Sequence, residues 1–105
     1  MSKWEDFQTI SRFEDKVNHM TKEDTLEVLV RYRNNLTKRY INDRKVFTDV
    51  DAYNATYFDI QTSIARKRLA EIRYEKTHSR KEECKIEMLK ELIEDQRSLL
   101  KLSNN

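Results

Sequence analysis

Apolar residues recur along this chain at steps of three and four, the spacing of one face of an α-helix, and the pattern breaks in few places. The first series is Trp4, Phe7, Ile10, Phe13, Val17 and Met20. Its three-residue steps drift round a helix of 3.6 residues per turn, giving a wide apolar face opposite Gln8, Arg12, Asp15 and His19. Ser2 with Glu5 makes a capping box ahead of it. This predicts a helix over about 3–20 that docks on the rest of the fold. A helix lying on a membrane surface is the weaker reading, because the polar side carries acids as well as bases.

Leu26, Leu29, Leu36, Tyr40 and Phe47 fall on a heptad-like stripe widened by Val30 and Ile41, which predicts a second helix over about 22–46. Thr21 and Asp24 offer a weaker capping box at its start. Arg33 occupies an apolar position of the stripe, where an arginine either snorkels from a partly exposed seam or pairs with a carboxylate. Thr48, Asp49 and Asp51 are the next helix-start signal. The third helix, about 50–77, carries Tyr53, Tyr57, Ile60, Ile64, Leu69 and Ile72. Folding the two helices into an antiparallel hairpin sets Tyr40 against Tyr57, Leu36 near Ile60, Lys38 near Asp59, and Arg66 to Arg68 near Glu27. Apolar then meets apolar and basic meets acidic.

From Glu75 to Glu83 no residue is apolar. Ser79 with Glu82 is a capping box inside that run, so a break near His78 is favoured over one continuous helix crossing solvent. The last helix, about 80–102, has Ile86, Leu89, Ile93, Gln96 and Leu100 at steps of three and four, flanked by Cys84, Met88, Leu92 and Leu99. Two readings stand equal: a self-association seam built from Ile86, Leu89, Leu92, Ile93, Leu99 and Leu100, or the fourth helix of a bundle.

Composition narrows the fold further. The 105 residues contain no glycine and no proline, which removes the usual residues for hairpin turns and phosphate-cradling loops. The expected class is all-α: a long antiparallel hairpin with an N-terminal and a C-terminal helix, one domain over 1–105. Only 37% of residues are hydrophobic, so either the buried seams are narrow or a second copy completes the core, and a dimer is the expected oligomer. No apolar run reaches membrane-spanning length, and the first residues lack the apolar core of a signal peptide. A single cysteine excludes an internal disulfide framework. A soluble, cytoplasmic protein is expected.

Charge is blocked along the chain although the net value is only +2. Residues 1–27 sum to −3, residues 28–48 to +5, residues 49–60 to −3, residues 61–85 to +4, and the remainder to −1.

Candidate chemistry is thin. His78 precedes Cys84 by six residues, but nothing orients either as a nucleophile–base pair. Glu75 and His78 have the Glu-x-x-His spacing of di-iron bundles, which need a second such element and two inward glutamates. Asp49, Asp51 and Asn54 lack the glycine and distal glutamate of a calcium loop, so capping accounts for them. No catalytic residue, metal site or cofactor is expected.

That leaves interaction surfaces. The favoured expectation is a non-enzymatic adaptor or inhibitor that binds another protein. Its Lys-, Asn-, Ile-, Glu- and Tyr-rich usage and small size are those of phage or mobile-element accessory proteins. The alternative is nucleic-acid binding by the basic residues of the second and third helices, with Arg31, Arg33 and Lys38 beside the candidate contacts. Those contacts are Arg39, Arg44, Lys45, Arg66, Lys67, Arg68, Arg73, Tyr74, Lys76, Arg80 and Lys81. Tyr32, Tyr40 and Tyr74 interleave with them as stacking platforms do.

Overall fold

The computed structural model describes residues 3–102, with side chains over 6–101. It consists of four helices: α1 Lys3–Asn18, α2 Glu23–Asn42, α3 Asp49–Thr77 and α4 Arg80–Leu102. The all-α architecture and the α2–α3 hairpin are as expected. The organising element is narrower than the hairpin, however. α3 alone packs against each of the other three, which do not pack backbone to backbone on one another. At 1.5 Å rise per residue its 29 residues run the full 43 Å length of the molecule.

α2 and α4 lie antiparallel to α3, and α1 runs parallel to it. Asp6 at the start of α1 meets Tyr53 at the start of α3, while Met20 beyond α1 accepts a hydrogen bond from Arg68 farther along. The middle of α3 is therefore enclosed on every side. Ile60 through Ala65 are six consecutive buried residues, three of them polar: Gln61, Thr62 and Ser63. A helix buried all round needs no amphipathic pattern, and α3 indeed shows the weakest one of the four. Gln61 and Ser63 satisfy themselves by donating to carbonyls one turn back, those of Tyr57 and Asp59. Small Ala65 and Ala70 let neighbouring helices approach, and Ile10, Val17, Leu26, Ile60, Ile64, Leu69, Ile72, Leu89, Ile93 and Leu100 fill the core.

Three local expectations are corrected. The N-cap of α2 is Lys22, with no side-chain cap, so Thr21 and Asp24 form no capping box. α2 ends at Asn42, and Val46 and Phe47 lie in the connection as exposed residues, outside the stripe that the spacing assigns to Phe47. Arg33 is half-buried and pairs with no carboxylate among the described residues. Its guanidinium sits 5.0 Å over the Phe13 ring and 5.9 Å from that of Tyr32, a cation–π arrangement that an apolar position can hold. The capping box of Ser2 with Glu5 lies outside the described side chains.

The break at His78 is present. His78 is left-handed (φ 51°, ψ 30°), and its N–H closes α3 on the Tyr74 carbonyl, 2.7 Å away. With no glycine in the chain, histidine takes the conformation that glycine takes most readily. Ser79 Oγ accepts from Lys81 N–H, but the Ser79 N–H donates to Thr77 Oγ1 and Glu82 turns to Lys85, so the predicted box is half formed.

Candidate interaction surfaces

The α2–α3 connection is fixed by one carboxylate. Asp51 Oδ2 accepts from the Thr48 N–H and hydroxyl, both at 3.0 Å, while Thr48 Oγ1 accepts from the Asp51 N–H. That is a complete capping box. Asp51 Oδ1 accepts from the Tyr40 hydroxyl at 2.9 Å and from Arg44 Nε at 3.2 Å, which ties the α3 start back to α2. Asn54 donates to the same tyrosine oxygen, and the Arg44 guanidinium lies 3.9 Å from the Tyr40 ring centre. The backbone N–H of Thr48 first, and then the Tyr40 hydroxyl, hold the Asp51 carboxyl down at about 2. The cluster does structural work, so Asp51 and Asn54 are cap and tether, and Asp49 is an acid in the first turn of α3. The Tyr40 ring packs tilted against Phe58, one residue beyond the Tyr57 that the register predicts.

The basic residues divide into engaged and unengaged sets. Arg73 bridges α3 to α2 by donating to Glu23 and Glu27, and Lys76 donates to Glu23 at 3.1 Å. The Arg73 hydrogen bond, then that of Lys76, pull the Glu23 carboxyl below its usual range. Arg68 donates to the Met20 carbonyl and pairs with Glu71, as does Lys67. Glu27 is thus taken by Arg73, not by Arg66 to Arg68 as the hairpin register suggests. Asp59 accepts from Gln96 of α4 at 2.7 Å, not from Lys38. Arg44 serves the Asp51 cluster, and Tyr74 packs edge-on to His78. Among the described residues Arg31, Lys38, Arg39, Lys45, Arg66, Arg80 and Lys81 are exposed and form no ion pair.

On α4, Leu89, Ile93 and Leu100 are buried within the chain and Ile86 is half-buried, while Met88, Leu92 and Leu99 face outward. Large exposed apolar residues also gather where the α2–α3 connection meets the C-terminal end of α4. Val46 is 75% exposed, Val50 68%, Leu99 54% and Phe47 50%. Beside them a groove of about 520 Å³ runs between the first turns of α3 and the last turns of α4, lined by Val50, Ala52, Tyr53, Thr56, Leu99 and Leu100. Asp49 is its one acidic lining residue. Sequence reading missed this patch because it assigned Phe47 to a buried stripe and Leu99 to the flank of a seam.

No group of three or more histidine, cysteine, aspartate or glutamate side chains among the described residues is placed to hold a metal ion. Cys84 and His78 both line a shallow exposed depression with Arg80, Glu83 and Glu87, with no hydrogen bond between them among the described residues. No described helix is long and apolar enough to cross a membrane. Comparison of the chain with family models, curated proteins and solved structures returned no match.

Proposed function

We propose that this protein is a non-enzymatic helical module that acts by binding another protein, as an adaptor or inhibitor. The observation that carries the reading is the apolar end patch. Four large residues, Val46, Phe47, Val50 and Leu99, stand at least half exposed; Val50 and Leu99 line one groove, and Val46 and Phe47 lie in the connection that leads into it. Exposed apolar side chains are ordinary when scattered, whereas a grouped set beside a concavity is the signature of a docking face. The rigid Asp51 cluster supports this, because it presents Phe47 and Val50 from a fixed connection. The mixed charge elsewhere suits a soluble accessory protein, including one of phage or mobile-element origin.

The test uses the tagged full chain in extract from its native cell. Wild type retains one protein in stoichiometric amount, and the Phe47→Asp/Val50→Asp variant loses it while keeping its helical circular dichroism. Retention of no protein, or equal retention by the variant, counts against the reading.

A further inference from the structure

The outer face of α2 has a different chemistry from the end patch. From Val28 to Asn42 the chain contains four basic residues and no acidic one. Arg33 is turned inward against Phe13. Arg31, Lys38 and Arg39 remain, and they share the solvent side of the helix with Asn35 and Asn42, seven or eight residues apart along it. Arg31 thus stands about 10–12 Å along the helix axis from the other two.

Their charge is not answered inside the protein. The one carboxylate a turn before Arg31, Glu27, is held by Arg73 of α3. Lys38 has Asn34 and Asn42 as its neighbours one turn away on either side, and Arg39 has Asn35 and Asp43, none within ion-pairing distance among the described residues. On α3 most of the charge is engaged, since Lys67, Arg68, Arg73 and Lys76 are consumed by carboxylates or by a carbonyl and only Arg66 is exposed and unpaired among the described residues. Folding therefore sorts the sequence's two basic blocks: in the second, Arg66, Arg80 and Lys81 stay exposed and unpaired among the described residues but are split between α3 and the start of α4, whereas Arg31, Lys38 and Arg39 lie as a strip along one helix.

Tyr32 borders that strip, and the residue is 58% exposed. Tyr40 and Tyr74 are half-buried and engaged by neighbouring side chains, so of these three tyrosines Tyr32 is the exposed one, with the Arg33 guanidinium 5.9 Å from its ring centre. We propose that the α2 outer face is a binding surface for single-stranded nucleic acid, with Arg31, Lys38 and Arg39 on phosphates and Tyr32 stacking on a base. A cationic track beside an aromatic platform is how proteins hold single strands without reading sequence. Stacking on an exposed ring needs an unpaired base, which favours a single strand over a duplex. The inference does not rest on the end patch, which lies at the tip of the bundle.

Fluorescence anisotropy tests it, with a labelled oligothymidylate of about 20 nucleotides and a duplex of equal length. Three neutralised phosphates predict a log–log salt slope of about −2 on the single strand, or a loss of about twentyfold in affinity between about 50 and 200 mM salt. The Arg31→Gln/Lys38→Gln/Arg39→Gln variant is expected to bring that slope close to zero. Arg80→Gln/Lys81→Gln/Lys101→Gln removes the same net charge from another region and is expected to keep binding and slope. Tyr32→Ala is expected to weaken single-strand binding by about tenfold with the slope unchanged. All seven positions are exposed, so circular dichroism of the variants should match wild type. Absence of binding at low salt overturns the proposal, as does equal loss in the two charge variants. Tighter binding to the duplex, or competition by polyglutamate of equal charge as strong as by oligonucleotide, overturns it as well.

Discussion

Asp51 shows how much one side chain does in a chain without glycine. Its two oxygens receive the Thr48 backbone, the Thr48 hydroxyl, the Tyr40 hydroxyl and Arg44, so the carboxylate form is favoured in the folded state. The sign of the pH effect follows. The folded value of about 2 lies below the ordinary 3.8, so the contribution is fully present above about pH 4 and is lost as pH falls towards 2. Thermal unfolding of wild type and Asp51→Asn across that range should give melting temperatures that differ most above pH 4 and converge below it. Arg73 is the second such residue, since it alone spans Glu23 and Glu27. Its side chain is about a third exposed, so solvent screens the pairs, and Arg73→Ala is expected to lose about 1–2 kcal/mol in urea denaturation. A change below a few tenths would mean that the bridge is a surface pair of little consequence.

The break between α3 and α4 belongs to the scale of elements. His78 holds a left-handed conformation, which strains a residue with a Cβ, and its ring gains only an edge contact with Tyr74. His78→Gly is therefore expected to stabilise the protein by about 0.5–1 kcal/mol, read as a higher urea midpoint at unchanged slope. Destabilisation would show that the Tyr74 contact outweighs the backbone strain. The two helix connections differ in kind. That before α3 is closed by side chains in a capping box, whereas that after it is closed by backbone at the expense of strain.

Dependence on α3 is the property of the whole molecule. Because the outer helices pack their backbones on α3 and meet one another only through side chains such as Arg33 with Phe13 and Arg97 with Glu14, damage at its centre removes support from all of them at once. Ile60 is fully buried there, and Ile60→Ala is expected to cost about 3–4 kcal/mol and to preserve a single unfolding transition by circular dichroism. Self-association is tested at this scale too. Leu92 and Leu99 are the outward leucines of α4, and light scattering on wild type and Leu92→Asp/Leu99→Asp should show whether they carry it. A dimer lost in the variant supports a seam on that face, and a monomer in both removes it.

All four helices, the hairpin and the break at His78 were legible from apolar spacing and capping residues, because each is set by groups a few residues apart. The Arg33 position was legible as an anomaly, but its resolution was not, since Phe13 lies on another helix. The same limit hid the candidate surfaces. Sequence lists thirteen basic residues from Arg31 to Lys81 as equivalent, and only the packing of α3 against α2 decides that Arg73 and Lys76 are spent while Arg31, Lys38 and Arg39 are not. Sequence by itself determined an all-helical chain with two basic blocks, because helix propensity, capping and charge are local properties. The tertiary structure decided that α3 is the centre, that its polar residues Gln61 to Ser63 are buried, and which charges and apolar side chains remain outside. Those outcomes depend on which faces meet across the bundle, and that is a relation between helices that no single helix encodes.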